Sequence, residues 1–395
     1  MLVTSKSECK LQAVEENTGT VPSANSANAL WENEHLSQIP FKVLRGHQQG
    51  VTSCQFCMSG ERILSASKDG NSQLWNIFTN KVMQTFTSHT LPVTRCKISP
   101  DESKLLSSSW DKTLCYFDIE TGDVLWRASH DGIVMFCDLS SDGKYALSCT
   151  DFNNTVKLWD LRDGSIIEEI VGHHSSTPTS CVFSPNSQRI ATTSMDRTTK
   201  VWDLLSKKTT ITLSGHKNIV SSCCFSENER FLCTASWDKS LQMWDISTGM
   251  FRSQGAFNLT KGHDGSVSCC KFSSDVQHLI SGGYDCAVVV WDVENKCKKV
   301  VLKGHDGWIN GVDISRDGKS ILSCSDDKTI RLWNIEEADH IPAVIENRRA
   351  MGLKIVKCEK CSKPFSIAQL EDPADIGICV FCRLADPERN KLPYI

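Results

Sequence analysis

The sequence predicts an all-β fold, a closed stack of seven small sheets, and three observations carry that expectation. A Gly-His or Ser-His pair recurs at His47, His89, His130, His173, His216, His263 and His305, with steps of 42, 41, 43, 43, 47 and 42 residues. The runs between these pairs are short, rich in β-branched and aromatic residues, and alternate in polarity. They end at Gly, Asn, Asp or Ser, which reads as about four strands per unit. A sheet of that size cannot bury both of its faces alone. Packing like sheets around an axis covers the faces and leaves no long open edge.

The units align residue by residue. VTSCQFCMSGERILSASKDGNSQLWN, VSSCCFSENERFLCTASWDKSLQMWD and INGVDISRDGKSILSCSDDKTIRLWN share one order: an alternating run, a polar turn, a Ser-rich run, an Asp and then a Trp. Six units hold the Asp and the aromatic six residues apart, as Asp69/Trp75, Asp111/Phe117, Asp196/Trp202, Asp238/Trp244, Asp285/Trp291 and Asp327/Trp333. The third unit is longer by two between Thr150 and Thr155, so either Asp151 or Asn153 takes the Asp place before Trp159. In the fourth unit His173-His174 leaves the register open by one.

From roughly Phe41 to Ile335 these residues resemble the WD-repeat β-propeller family. The resemblance implies seven blades, with Phe41-Lys42-Val43-Leu44 completing the last blade as its outer strand. It also implies that the repeated His, Asp and Trp form an internal hydrogen-bond network through a Ser or Thr. That network covers His47, Asp69 and Trp75; His216, Asp238 and Trp244; His263, Asp285 and Trp291; and His305, Asp327 and Trp333. Buried indole and imidazole groups need such partners, so these residues are read as structural, not catalytic.

The residue just before each turn Asp is not dictated by the repeat: Lys68, Trp110, Thr150, Met195, Trp237, Tyr284 and Asp326. In the family this position lies near the mouth of the central channel on one face. Trp110, Met195, Trp237 and Tyr284, joined by Trp308, therefore form the expected partner-binding face, since aromatic and Met side chains dominate protein-binding hot spots. Trp159-Asp160-Leu161-Arg162 matches a Trp-Asp-x-Arg pattern. In this family that pattern can dock a substrate receptor onto a cullin-type ubiquitin ligase, with Asp160 and Arg162 as candidates. An exposed arginine is the plain alternative.

Past Ile335 the repeat stops. Cys358 and Cys361, then Cys379 and Cys382 after 17 intervening residues, form two Cys-x-x-Cys pairs. Each pair aims two thiolates at one point, and together they complete a tetrahedron around a structural Zn2+ with no open position for water. The expected organisation is a disordered segment 1–37, a propeller 38–336, a linker 337–353 and a zinc-ribbon-like four-cysteine module 354–395. Lys354, Lys357, Lys360 and Lys363 around the first pair suit either a solvated face or contact with RNA.

Composition narrows the function. With 43 basic against 47 acidic residues the chain has no bulk charge for nucleic acid. No apolar run long enough for a signal peptide or a membrane span occurs, and 20 cysteines then suggest a reducing, intracellular setting. Gly318-Lys319-Ser320 ends like a phosphate loop, but position 313 is Asp where that motif needs Gly. The expectation is a non-catalytic scaffold that binds proteins or peptides and no small-molecule substrate. A ligase substrate receptor and an RNA-associated adaptor are the alternatives.

Overall fold

The computed structural model describes residues 32–33, 39–57, 59–249, 251–336, 338, 354–357, 362 and 364–367. Seven antiparallel sheets follow one another along the chain. Blade 1 is Val51–Phe56, Arg62–Ser67, Asn71–Asn76 and Lys81–Thr87, and blades 2 to 6 repeat that order from the inner to the outer strand. Blade 7 supplies Ile309–Ile314, Ser320–Ser325 and Thr329–Asn334, and Pro40–Arg45 from the beginning of the ring completes it. Phe41 lies opposite Trp333 in that pairing, and Glu32–Asn33 adds a two-residue strand outside it. The closure expected from Phe41 to Leu44 is the closure found.

The alternation seen in the sequence is resolved as burial between blades rather than within one. Trp75 of blade 1 packs with Leu322, Cys324, Ile330 and Leu332 of blade 7, and Trp333 packs with Val288, Val290 and Val300 of blade 6. Each buried Trp removes enough apolar surface to contribute about 4–6 kcal/mol before ordering costs. The second strand of each blade is buried at nearly all positions because it has a blade on either side, whereas the outer strand Lys81–Thr87 is mostly exposed.

Each inner strand carries a bulge at the same place, between its first and third residues. The bulge turns the second residue toward the next blade. There Thr52 donates to the Val93 carbonyl at 2.7 Å, Thr94 to Val134 at 2.8 Å, Thr179 to Val220 at 2.5 Å and Ser221 to Val267 at 2.7 Å. Ser268 donates to Ile309, and Asn310 closes the circle on Val51 at 2.8 Å. Blade 3 breaks the chain of bonds, because Met135 has no proton to donate.

The extended connection after Ile246 contains a single turn of helix, Phe251–Gln254, and it leaves blade 5 an outer strand of three residues, Phe257–Leu259. Among the described residues no helix is long and apolar enough to cross a membrane. Beyond the ring, Lys354–Lys357 and Pro364–Ile367 pair as an antiparallel hairpin.

Candidate interaction face

In blade 7, Trp333 Nε1 donates to Ser323 Oγ at 2.9 Å, Ser323 lies 2.8 Å from His305 Nε2, and His305 Nδ1 lies 2.7 Å from Asp327. The donor inventory fixes the direction: the indole can only donate, so the hydroxyl passes its proton toward Nε2 and Nδ1–H faces the carboxylate. Trp75–Ser65–His47–Asp69, Trp244–Thr234–His216–Asp238 and Trp291–Ser281–His263–Asp285 repeat the relay. Burial alone would push the carboxyls up, but the imidazole bonds reverse this and hold Asp285 at about 2. Burial likewise lowers His216 and His305, which stay neutral. Each of these Asp residues also caps its own turn, as Asp327 does for the amides of Asp306 and Thr329. All four relays are enclosed within single blades.

Three blades depart from the pattern. In blade 2 Phe117 stands where the indole would be, although His89 still bonds Ser107 and Asp111. The His-to-Asp separation is 22 residues in the complete relays, and in blade 4 that spacing selects His174, whose Nδ1 is 2.9 Å from Asp196. His173 instead lies edge-on to Trp202 and also bonds Thr192, which leaves the Trp202 Nε1 without a partner. In blade 3 the residue 22 after His130 is Phe152, and neither Asp151 nor Asn153 bonds the imidazole. Asp151 accepts from the Ile133 amide at 2.7 Å, and His130 Nδ1 is buried and unpartnered. Gly132 makes this possible, because a Cβ there would come within 2.3 Å of Asp151 Oδ1.

One backbone hydrogen bond recurs around the ring and locates the rim. Lys68, Trp110, Asp151, Met195, Trp237, Tyr284 and Asp326 each donate an amide to the residue preceding an inner strand, from Gly50 around to Trp308. Asp151, not the buried Thr150, therefore holds the rim place in blade 3. Lys68 and Asp326 neutralise each other at 2.7 Å across the joint between blades 1 and 7. Apart from Asp151 in blade 3, the remaining rim places carry aromatic or Met side chains. Trp237, Tyr284 and Trp308 form a continuous row, with centroids 6.2 Å and then 5.0 Å apart. Trp308 is 55% exposed, Trp110 47% and Met195 37%, while Trp237 and Tyr284 are half-buried.

Phe152, 50% exposed, and Leu91 extend this surface and were not singled out by the sequence. The signal for Phe152 was present in the spacing of 22 from His130. Asn153 and Asn154 hold φ of 52° and 53° behind it, a left-handed turn that asparagine tolerates and that projects the preceding residue outward.

The model of the WD domain, G-beta repeat, matches seven segments: 38–76, 80–118, 124–160, 164–203, 207–245, 256–292 and 295–334. The chain belongs to the WD-repeat family. It is 48% identical over 360 residues to human WD repeat-containing protein 88, covering 90% of this chain and 76% of that protein. It is 30% identical over 165 residues to rat apoptotic protease-activating factor 1, covering 40% of this chain and 13% of that protein. Human pre-mRNA-processing factor 17 is 27% identical over 179 residues, 44% of this chain and 30% of its own length.

As a WD-repeat propeller, the chain carries its Trp-Asp-x-Arg sequence at the end of a blade 3 strand. Arg162 is 89% exposed, but its guanidinium forks back onto Asp160 at 2.6 Å, and nothing in this geometry favours ligase docking. Cys358, Cys361, Cys379 and Cys382 lie outside the described residues. Lys357 is exposed at the end of the hairpin's first strand. The cysteines of the described residues are thiols rather than disulfides, and nearly all are buried. Cys54, Cys181 and Cys270 occupy one repeat position, each within thiol hydrogen-bonding range of a carbonyl in the preceding blade. Cys224 does not share that position with them: Cys223 fills it in blade 5, and Cys224 is one residue further on.

Proposed function

We propose that this chain is a non-catalytic interaction scaffold, a closed ring that presents an aromatic rim to partner proteins or peptides. The single observation that carries the reading is the contiguous row Trp237–Tyr284–Trp308. It places large apolar side chains on a turn-rich rim where solvent favours polar groups, next to the one rim joint that is charge-paired. WD-repeat propellers are generally binding modules, and the repeated His and Asp here are consumed by internal bonds. The thiol state of the described cysteines fits a reducing, intracellular setting.

The test compares proteins recovered by tagged wild type, Trp237→Ala, Trp308→Ala and Leu205→Ala, the last in an exposed turn on the opposite rim. Partners lost with both Trp variants and retained with Leu205→Ala support the reading. Recovery unchanged by either Trp variant refutes it.

We further propose a structural Zn2+ held by Cys358, Cys361, Cys379 and Cys382. Its support is the spacing of the four cysteines, together with the hairpin that brackets the first pair: Lys357 lies opposite Pro364. Ser362, directly after the second cysteine, has φ of 57°. Metal analysis of the purified chain should give one zinc per molecule, reduced to background by Cys358→Ser with Cys379→Ser. A metal-free wild type overturns it.

A further inference from the structure

The fourth residue of each inner strand points back into the preceding blade, as the Cys54, Cys137, Cys181, Cys223 and Cys270 sulfurs do toward carbonyls there. The fifth residue points the other way, toward the next blade and the central channel. Six joints between blades pair unlike groups at these two places: Gln55 with Cys96, Lys97 with Cys137, Asp138 with Cys181, Val182 with Cys223, Lys271 with Val312 and Asp313 with Cys54. Among the described residues, only the joint between blades 5 and 6 sets a thiol against a thiol at these two places; Cys54–Cys324 and Cys181–Cys149 meet across other joints, but neither of those pairs has both sulfurs on the channel cavity. Cys224 Sγ lies 3.7 Å from Cys270 Sγ.

This pair is reachable. Both cysteines line a channel cavity of about 350 Å³, together with Lys271, whereas Cys233, paired in register with Cys224, is fully enclosed. Burial would push the Cys224 thiol up, but hydrogen bonds from Cys233 and Cys270 and the charge of Lys271 reverse this and hold it well below the usual thiol value. A more acidic thiol is the more reactive sulfur toward peroxides.

We propose that Cys224 and Cys270 are a redox couple that hydrogen peroxide, entering by the channel, converts to a disulfide joining the inner strands of blades 5 and 6. The Cys224 thiolate attacks one peroxide oxygen, breaking the O–O bond and forming a sulfenic acid; the hydroxide released takes up the proton that Cys224 gave up on ionising and leaves as water. The Cys270 sulfur then displaces the sulfenic oxygen, and its own proton departs with that oxygen as a second water. Two thiols and one peroxide thus give one disulfide and two waters. The sulfurs must approach from 3.7 Å to the bonded distance of about 2.05 Å, a movement within reach of side-chain rotation with a small shift of two neighbouring strands.

The full-length chain is treated with hydrogen peroxide, alkylated under denaturing conditions, digested and mapped by mass spectrometry. The expected product is a reductant-sensitive linked peptide containing Cys224 and Cys270. It is retained in Cys233→Ser and lost in Cys224→Ser and Cys270→Ser. In Cys270→Ala a dimedone adduct should accumulate on Cys224, because the sulfenic acid has no partner. The wild-type map needs no variant to fold. A Cys224–Cys233 link would overturn the proposal. So would Cys224 and Cys270 both remaining alkylatable after the more exposed Cys286 has been oxidised, or wild-type Cys224 passing to the sulfinic acid unlinked.

Discussion

Asn310 of the seventh blade donates its side-chain amide to the Val51 carbonyl of the first, 2.8 Å away and 259 residues distant in the chain. The same amide nitrogen reaches Asp326 Oδ1 at 2.8 Å, and Asp326 in turn pairs with Lys68. One side chain thus joins the bulge of the inner strand to the rim at the place where the ring closes.

Asn310→Ala should therefore cost more than an ordinary surface substitution. It leaves the Val51 carbonyl without its donor in a half-buried site, a loss of about 1–3 kcal/mol. Urea unfolding would register this as a lower midpoint at unchanged slope. A change below about 0.5 kcal/mol would show that closure rests on the Pro40–Arg45 pairing alone.

The two classes of tryptophan should separate cleanly. Trp333→Ala removes a fully buried ring and the donor to Ser323, and should cost about 3–5 kcal/mol. Trp308→Ala removes a half-exposed ring from the rim and should stay within about 0.5 kcal/mol. Thermal unfolding of both variants beside wild type decides the matter; similar losses would make Trp308 part of the core.

Acid should weaken the fold early. Burial lowers the imidazole of His130 to about 4 and that of His173 to about 3, the latter aided by His174 and Lys200. The unfolded chain takes up protons below about 6.5, while the folded chain refuses them down to these values. Stability is therefore whole above about pH 6.5 and declines as pH falls toward 4 and then 3. The carboxylates of Asp196 and Asp285, held at about 2, add a further loss only below about pH 4. Melting temperatures measured from pH 8 to 5 should drop, and His173→Asn should flatten the slope. A level profile would contradict the assignment.

Blade 3 should open first. It lacks both the His–Asp bond and the bulge-to-bulge hydrogen bond, since His130 is unpartnered at Nδ1 and Met135 cannot donate. Amides of Tyr145–Thr150 should exchange with deuterium faster than those of Ser320–Ser325, the matching strand of blade 7. Equal protection would show that interblade packing outweighs both missing bonds.

The ring, its seven units and its closure were legible because each rests on a period that the chain repeats. The relays were legible for the same reason, through His305, Asp327 and Trp333 and their equivalents. Blades 3 and 4 were not, because a one-residue choice between His173 and His174 is made by which imidazole faces Asp196. No propensity separates the two; only the count of 22 does. Thr150 was given the rim place that Asp151 holds, and Phe152 was passed over, because the insertion shifts the rim, not the strands. The thiol pair was invisible for a different reason. Cys224 and Cys270 meet only through the opposite facings of the fourth and fifth residues of inner strands in neighbouring blades, a relation that exists once the sheets are packed around the axis.

The pairing of Phe41 with Trp333 also has a temporal side. A ribosome adds about 5–20 residues per second, so the strand Pro40–Arg45 waits roughly 15–60 s before its partner exists. Through that interval six blades can assemble while an early apolar strand stays solvent-facing beside them. Any translation pause before the seventh repeat is complete would lengthen that exposure directly.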